Sequence, residues 1–166
     1  MGNFGADPGA SNGGTQFKDE STGNIITAAT VATATNHHIF FNSNGIVGSI
    51  QTTGSATSYN TSSDYRLKEN VIDINDGITR IKQLQPRRFN FIADTETTVD
   101  GFVDHEAQTV VPEAVTGTHN EVDENGNAVM QGIDQSKLVP LLTAALQEAI
   151  AKIETLEAKV AALEAQ

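Results

Sequence analysis

The sequence predicts an α+β protein in three parts: a β-structured segment over residues 1–63, a small mixed α/β core over 64–133, and a long C-terminal helix over 134–166. Three observations lead there. Only Asp7, Lys18, Asp19 and Glu20 are charged before Asp64, and residues 21–63 contain no Asp, Glu, Lys or Arg at all. That neutral stretch is rich in Gly, Ser, Thr and Asn and holds short β-prone runs separated by turn residues. From Asp64 onward the composition is that of an ordinary globular domain, and it ends in an apolar repeat with helical spacing.

Within the first part, residues 1–24 read as turns and loop. β-runs follow at Ile25–Val31, His38–Phe41 and Ile46–Gln51, with turns at Ser43-Asn44-Gly45 and Gly54-Ser55. Asn44-Gly45 is a hairpin signal, because Asn and Gly tolerate the positive φ of tight primed turns. Strands this short bury too little apolar surface to stand alone. They suit a fibrous oligomer in which strands from several chains cover one another; a disordered linker is the plainer alternative.

In the second part, Asn75 or Asp76 can cap a helix whose apolar residues fall at Ile78, Ile81 and Leu84, with Pro86 ending it. Arg88–Ile92 alternates as a strand and places Phe89 and Phe91 on one face. Asp94–Asp100 reads as a polar loop, followed by Gly101-Phe102-Val103 and a short turn or helix before Val110-Val111-Pro112. Glu124-Asn125-Gly126-Asn127 reads as a hairpin turn, with Ala128–Ile133 returning as a strand.

The helix from Asp134 tolerates Pro140 only near its first turns. With Val139, Leu146, Ile153 and Val160 as heptad a positions, Leu142, Ala149, Leu156 and Leu163 fall at d. Lys152 and Lys159 then occupy g, and Glu157 and Glu164 the matching e positions five residues on. That charge match favours identical chains lying parallel and in register, a coiled coil, without fixing their number. A single amphipathic helix packed on its own domain explains the apolar stripe but not the charges.

Composition excludes several functions. The formal charge of −11 speaks against nucleic acid or an anionic membrane as main partner, since both are polyanions. There is no cysteine, so disulfide scaffolds, zinc ribbons and thiol catalysis are out. No apolar run approaches the roughly 20 residues of a membrane span and no export signal opens the chain, so a soluble protein is expected. Phosphate-binding Gly-rich loops, Ser/His/Asp constellations and basic aromatic patches are absent, and no cofactor or metal is expected.

The segment Ser63-Asp64-Tyr65-Arg66-Leu67-Lys68-Glu69-Asn70-Val71 resembles the start of the intramolecular chaperone domain of phage tail spikes and fibres. This is the endosialidase-type auto-processing domain of peptidase family S74. Leu84-Gln85-Pro86, Phe89-Asn90-Phe91, Gly101 to Glu106, Val110 to Val115 and Ile133-Asp134 through Leu142 into Ala145 to Glu148 extend the resemblance to the C-terminus. Phe41-Asn42, Gly45, Gly48-Ser49-Ile50 and Tyr59-Asn60 look like the stalk of such a fibre. Asp104 departs from the pattern, standing where the family more often has a small residue.

The resemblance implies a homotrimer that templates the folding of an upstream β-stalk and then cuts itself off. It implies residence in a virion tail fibre or spike assembled in the host cytoplasm, and a stalk that meets a host surface receptor. The scissile bond it implies is Ser63–Asp64, with Ser63 and Lys68 as the catalytic pair. The compositional boundary falls at the same bond. A trimeric fibre tip of the same fold that is never cleaved is the alternative.

A serine hydroxyl needs a neighbouring base, and a lysine serves only where desolvation favours its neutral form. Burial of Lys68 in a folded trimer would meet that condition. Ser63 Oγ attacking its own carbonyl would close a four-membered ring, which leaves attack by Ser63 of a neighbouring chain or by an activated water. Asp64 could assist, although a Ser-Asp pair is more often a turn or helix cap.

Other candidates have plainer readings. His37 and His38 sit in a strand-like run that should point them to opposite faces; three chains could gather three of one histidine around a metal, but ordinary exposed histidines are the simpler case. His105 and Glu106 could form an acid/base pair or merely pack. Asp123, Asn125 and Asn127 mimic the start of a calcium loop, but Ala128 replaces its glycine and Asp134 its bidentate Glu, which favours a hairpin. Arg87-Arg88 reads as a surface or intersubunit contact.

Overall fold

The computed structural model describes residues 14–17 and 25–166. It is mixed α/β, with several small sheets and one long C-terminal helix, and divides into two compact units, Met1–Val71 and Ile72–Gln166. Among the described residues no helix is long and apolar enough to cross a membrane.

In the first unit β1 (Gly14–Phe17) pairs antiparallel with β2 (Ile25–Ala28). A strand at Gly14–Phe17 corrects the expectation of loop throughout 1–24. The β-prone Thr15 and Phe17 find a ladder partner in β2 that local composition could not reveal. The rest of 1–24 lies outside the described residues. β2 stops at Ala28 rather than Val31, where the chain bends.

β3 (Thr35–Asn42), β4 (Gly45–Thr53) and β5 (Ala56–Thr61) form an antiparallel meander in that order. The first turn is not the primed two-residue type. Asn42 faces Gly45 across Ser43-Asn44, and only Gly45, at φ 96°, enters the positive region. Asn42 Oδ1 accepts the Asn44 N–H at 2.8 Å, so an Asx turn supplies the reversal and spares Asn44 a left-handed backbone. The second turn, Gly54-Ser55, places Gly54 at φ 56° between paired Thr53 and Ala56. No residue of the meander is fully buried, and Phe40, Phe41, Ile46 and Tyr59 are exposed. This agrees with three short strands being too small to cover their own apolar side chains.

The second unit opens with α1 (Gly77–Ile81), which is shorter than a helix running to Pro86; a further turn carries the chain to buried Leu84. Asp76 occupies the N-cap position but makes no side-chain cap. β6 (Arg87–Phe91) and β7 (Asp94–Gly101) form a hairpin turning at Ile92-Ala93, and Phe89 meets Phe91 edge-on with ring centroids 5.4 Å apart. β7 corrects the expected polar loop over 94–100. Its β-branched Thr95, Thr97, Thr98 and Val99 favour extended backbone whatever their polarity, and the exposed hairpin has no need of apolar alternation.

α2 (Asp104–Gln108) carries Asp104 in its first turn. β8 (Val115–Thr116) pairs with β9 (Gly132–Ile133), so the returning strand expected over 128–133 is confined to its last two residues plus a single bridge from Val122 to Ala128. Between them Asp123 Oδ1 accepts the Asn125 and Asn127 N–H groups, both at 2.8 Å, and shapes the turn with Gly126 at φ 81°.

Asp134 caps a 3-10 turn at Gln135–Leu138, accepting the Ser136 N–H at 3.0 Å, and α3 (Val139–Glu164) follows with Pro140 in its first turn. The helix therefore starts later than Asp134. The core gathers Leu84, Ala107, Val110, Val111, Ala114, Val115, Leu138 and Leu141, edged by Ile81, Phe102 and Ile133. α3 enters it through Leu141, and on the same face buries Ala144 and Ala145, whose backbone lies against Gly77 of α1. Val139, Leu142, Leu146, Ile153, Leu156, Val160 and Leu163 are all exposed. The heptad stripe is thus not what holds the helix to its own domain.

Candidate functional site

The site lies where β5 ends and a short reversal begins. On its upstream side the Ser62 N–H donates to the Val47 carbonyl at 3.1 Å and Ser62 Oγ to the Ile46 carbonyl at 3.0 Å, which ties the chain to β4 immediately before Ser63. On its downstream side Asp64 caps a 3-10 turn at Tyr65–Leu67, with Leu67 N–H to Asp64 carbonyl at 3.1 Å and Lys68 N–H to Tyr65 carbonyl at 3.0 Å. One such turn carries a residue five positions on back toward its starting point. Accordingly Lys68 Nζ donates to Ser63 Oγ at 2.7 Å. The two residues that the family resemblance pairs are in direct contact, and both are exposed in the single chain.

Asp64 does not face Ser63 as a proton acceptor. Arg66 clamps its carboxylate with both arms, Nε to Oδ1 at 2.9 Å and a terminal nitrogen to Oδ2 at 2.7 Å, while the Arg66 N–H also reaches Oδ1 at 2.9 Å. These bonds, the guanidinium first and then the N–H, hold the Asp64 carboxyl below the usual carboxylate range. A carboxylate so engaged is a poor base, and its part here is to cap the turn. Sequence reasoning missed Ser62 and Arg66. The Asp-x-Arg spacing across a short turn was a readable signal for the second; Ser62 bonds to carbonyls fifteen or more residues away and left none.

The remaining candidates are occupied by plainer contacts. His37 is half-buried with Nε2 2.8 Å from Thr52 Oγ1, beside a register shift between Asn36 and His38, and His38 is exposed. Among the described residues no group of three or more His, Cys, Asp or Glu could hold a metal ion. Glu106 is bound by Arg87 through two bonds of 2.7 and 2.9 Å, which lower its pKa, and Arg87 also donates to Gln85. His105 stacks on His119 with centroids 4.1 Å apart. Arg88 bridges the hairpin to Asp100 at 2.7 and 3.0 Å. Both arginines are therefore spent on carboxylates of their own chain. Asp123 is filled by Asn127 and neighbouring N–H groups, which push its carboxyl down as a turn residue.

Residues 63–116 match the model of the peptidase S74 family, described as the chaperone of endosialidase. The family is the one that the segment from Ser63 resembles, and the match covers that resemblance as far as residue 116. The match begins at Ser63 itself, covers the Ser63–Lys68 contact, and runs through β6, β7 and α2 to β8. It supports a chaperone role associated with a phage tail, and the family's name carries a peptidase activity. No curated protein matches the chain.

Proposed function

We propose that the chain is the end of a phage tail fibre or spike, in which an intramolecular chaperone trimerises, templates the upstream β-stalk and releases itself by cutting between Ser63 and Asp64. The observation that carries this reading is the 2.7 Å contact of Lys68 Nζ with Ser63 Oγ at the first residue of the family match. An oxygen nucleophile adds to the Ser63 carbonyl carbon, the bond to the Asp64 nitrogen breaks, and that nitrogen leaves with a proton. Water finally supplies the second oxygen of the Ser63 carboxylate. Lys68 is placed to take the first proton from Ser63 Oγ or from a water beside it, and to return it to the leaving amine.

The same contact suggests how cutting waits for assembly. Lys68 is exposed in the single chain. Chains closing over it would favour the neutral amine that a base requires. Cleavage would then report that the fibre is complete. Because the four-membered ring bars Ser63 from its own carbonyl, either the neighbouring chain's Ser63 or a water makes the attack.

Mass spectrometry of the purified full chain tests the reading. Fragments 1–63 and 64–166 should accumulate, and Lys68→Ala chains should stay whole. A Lys68→Ala chain cut at the wild-type rate would sink the dyad. An intact wild-type chain in assembled trimers would instead favour an uncleaved receptor-binding tip. Ser63→Ala separates the two routes of attack: the altered chain stays whole alone and is cut beside wild-type chains if a neighbour's serine attacks, and is cut alone if water does.

A further inference from the structure

Asp64 and Arg66 flank the proposed scissile bond, yet neither touches Ser63 Oγ. Their pairing is bidentate and is reinforced by the Arg66 N–H on the same carboxylate oxygen. Such an arrangement fixes the direction of both side chains and of the backbone between them. The pair is also exposed, with 73% of the Arg66 side chain and 41% of the Asp64 side chain open to solvent. An ion pair that exposed adds little to stability. It does define the turn whose last hydrogen bond, Lys68 N–H to Tyr65 carbonyl, sets where the Lys68 side chain begins.

We infer that Arg66, acting through Asp64, is a positioning residue for self-cleavage: it holds the Tyr65–Leu67 turn closed so that Lys68 lies on Ser63. The inference rests on the self-cleavage reading and adds a residue to it. Two consequences separate positioning from general structural support. Lysine at 66 keeps the charge but not the fork, so it cannot grip both carboxylate oxygens. And if Arg66 works only through Asp64, removing both partners costs no more than removing one.

Self-cleavage time courses of the full chain test this with Arg66→Lys, Arg66→Gln, Asp64→Asn and the Asp64→Asn/Arg66→Gln double variant, beside wild type and Lys68→Ala. Arg66→Gln is expected to slow cutting at least tenfold, Arg66→Lys to recover only part of that loss, and the double variant to be no slower than the slower single one. Melting temperature and oligomeric size should stay at wild-type values in all of them. Arg66→Gln cutting at the wild-type rate, with Lys68→Ala inert, overturns the positioning role and leaves the dyad standing. Additive losses in the double variant overturn action through Asp64. A wild-type chain that never cuts overturns the self-cleavage reading and this inference with it.

Discussion

Gly77 is the residue on which the second unit closes. A Cβ built there would lie 2.5 Å from the Ala145 nitrogen and 2.8 Å from the Ala144 carbonyl carbon, backbone atoms that cannot swing away. Beside it, Glu148 reaches from α3 to accept the Gly77 N–H at 2.5 Å and the Ile78 N–H at 3.2 Å, so the helix start is capped from across the fold while Asp76 caps nothing. Gly77→Ala should therefore lower stability by about 1–3 kcal/mol through overpacking, although the same change inside an exposed helix would raise it by up to about 1 kcal/mol. Glu148→Ala should cost about 1 kcal/mol as a lost cap. Denaturant titration reads both, and a stabilised Gly77→Ala chain would mean that α1 and α3 do not approach this closely. The sequence pointed to Asn75 or Asp76 because only neighbours in the chain are visible there. Ser63 and Lys68 were legible through the family resemblance, and the short turn between them makes that pairing a contact. Ser62 and Glu148 act over long separations and were not.

At the scale of the element, α3 puts two faces to different uses. Leu141, Ala144 and Ala145 are buried against their own domain, whereas every a and d residue from Val139 to Leu163 except half-buried Ala149 stands exposed. A monomer would leave that seam in water along the whole helix, which is the physical ground for proposing a parallel coiled coil between copies. Substitutions on the two faces should separate. Leu156→Lys is expected to shift the protein to a smaller species by light scattering while the domain core remains folded. Leu141→Ala is expected to destabilise the core by about 2–5 kcal/mol, as for a fully buried leucine. A Leu156→Lys protein with unchanged mass would remove the seam from assembly. Periodicity made this helix legible, since its repeat is long and its charges agree with it. β7 was not legible, because its threonines look like a loop to polarity and like a strand only to β-propensity. The short pairing at Gly132–Ile133 was overextended for a related reason: a run of residues after a turn says that the chain returns, not how much of it is paired.

Across the whole molecule, the chain changes its physics at Ser63. Upstream, residues 21–63 contain no carboxylate, lysine or arginine, and the meander is held by ladder hydrogen bonds and neutral contacts such as Gln51 to Asn36 at 3.1 Å. Downstream, Asp64, Asp94, Asp100, Glu106, Asp123 and Asp134 all have carboxyls held below their usual range, each by a hydrogen-bonded partner: Arg66, Thr97, Arg88, Arg87, Asn127 and Ser136 respectively. A carboxyl whose pKa is lower in the folded chain binds protons more readily once unfolded, so its contribution is full above the ordinary carboxylate pKa of about 4 and is lost as pH falls through the folded value. All six shifts have the same sign, so acid should act on the two sides of Ser63 unequally. Hydrogen exchange followed by mass spectrometry, stepped from pH 7 down to pH 3 and corrected for intrinsic exchange rates, should show peptides over 87–138 losing protection below about pH 4. Peptides over 35–61, which hold no carboxylate, should keep theirs over the same range. Equal loss on both sides at the same pH would mean that the neutral segment depends on the acidic domain for its fold, and that the boundary at Ser63 divides composition but not stability.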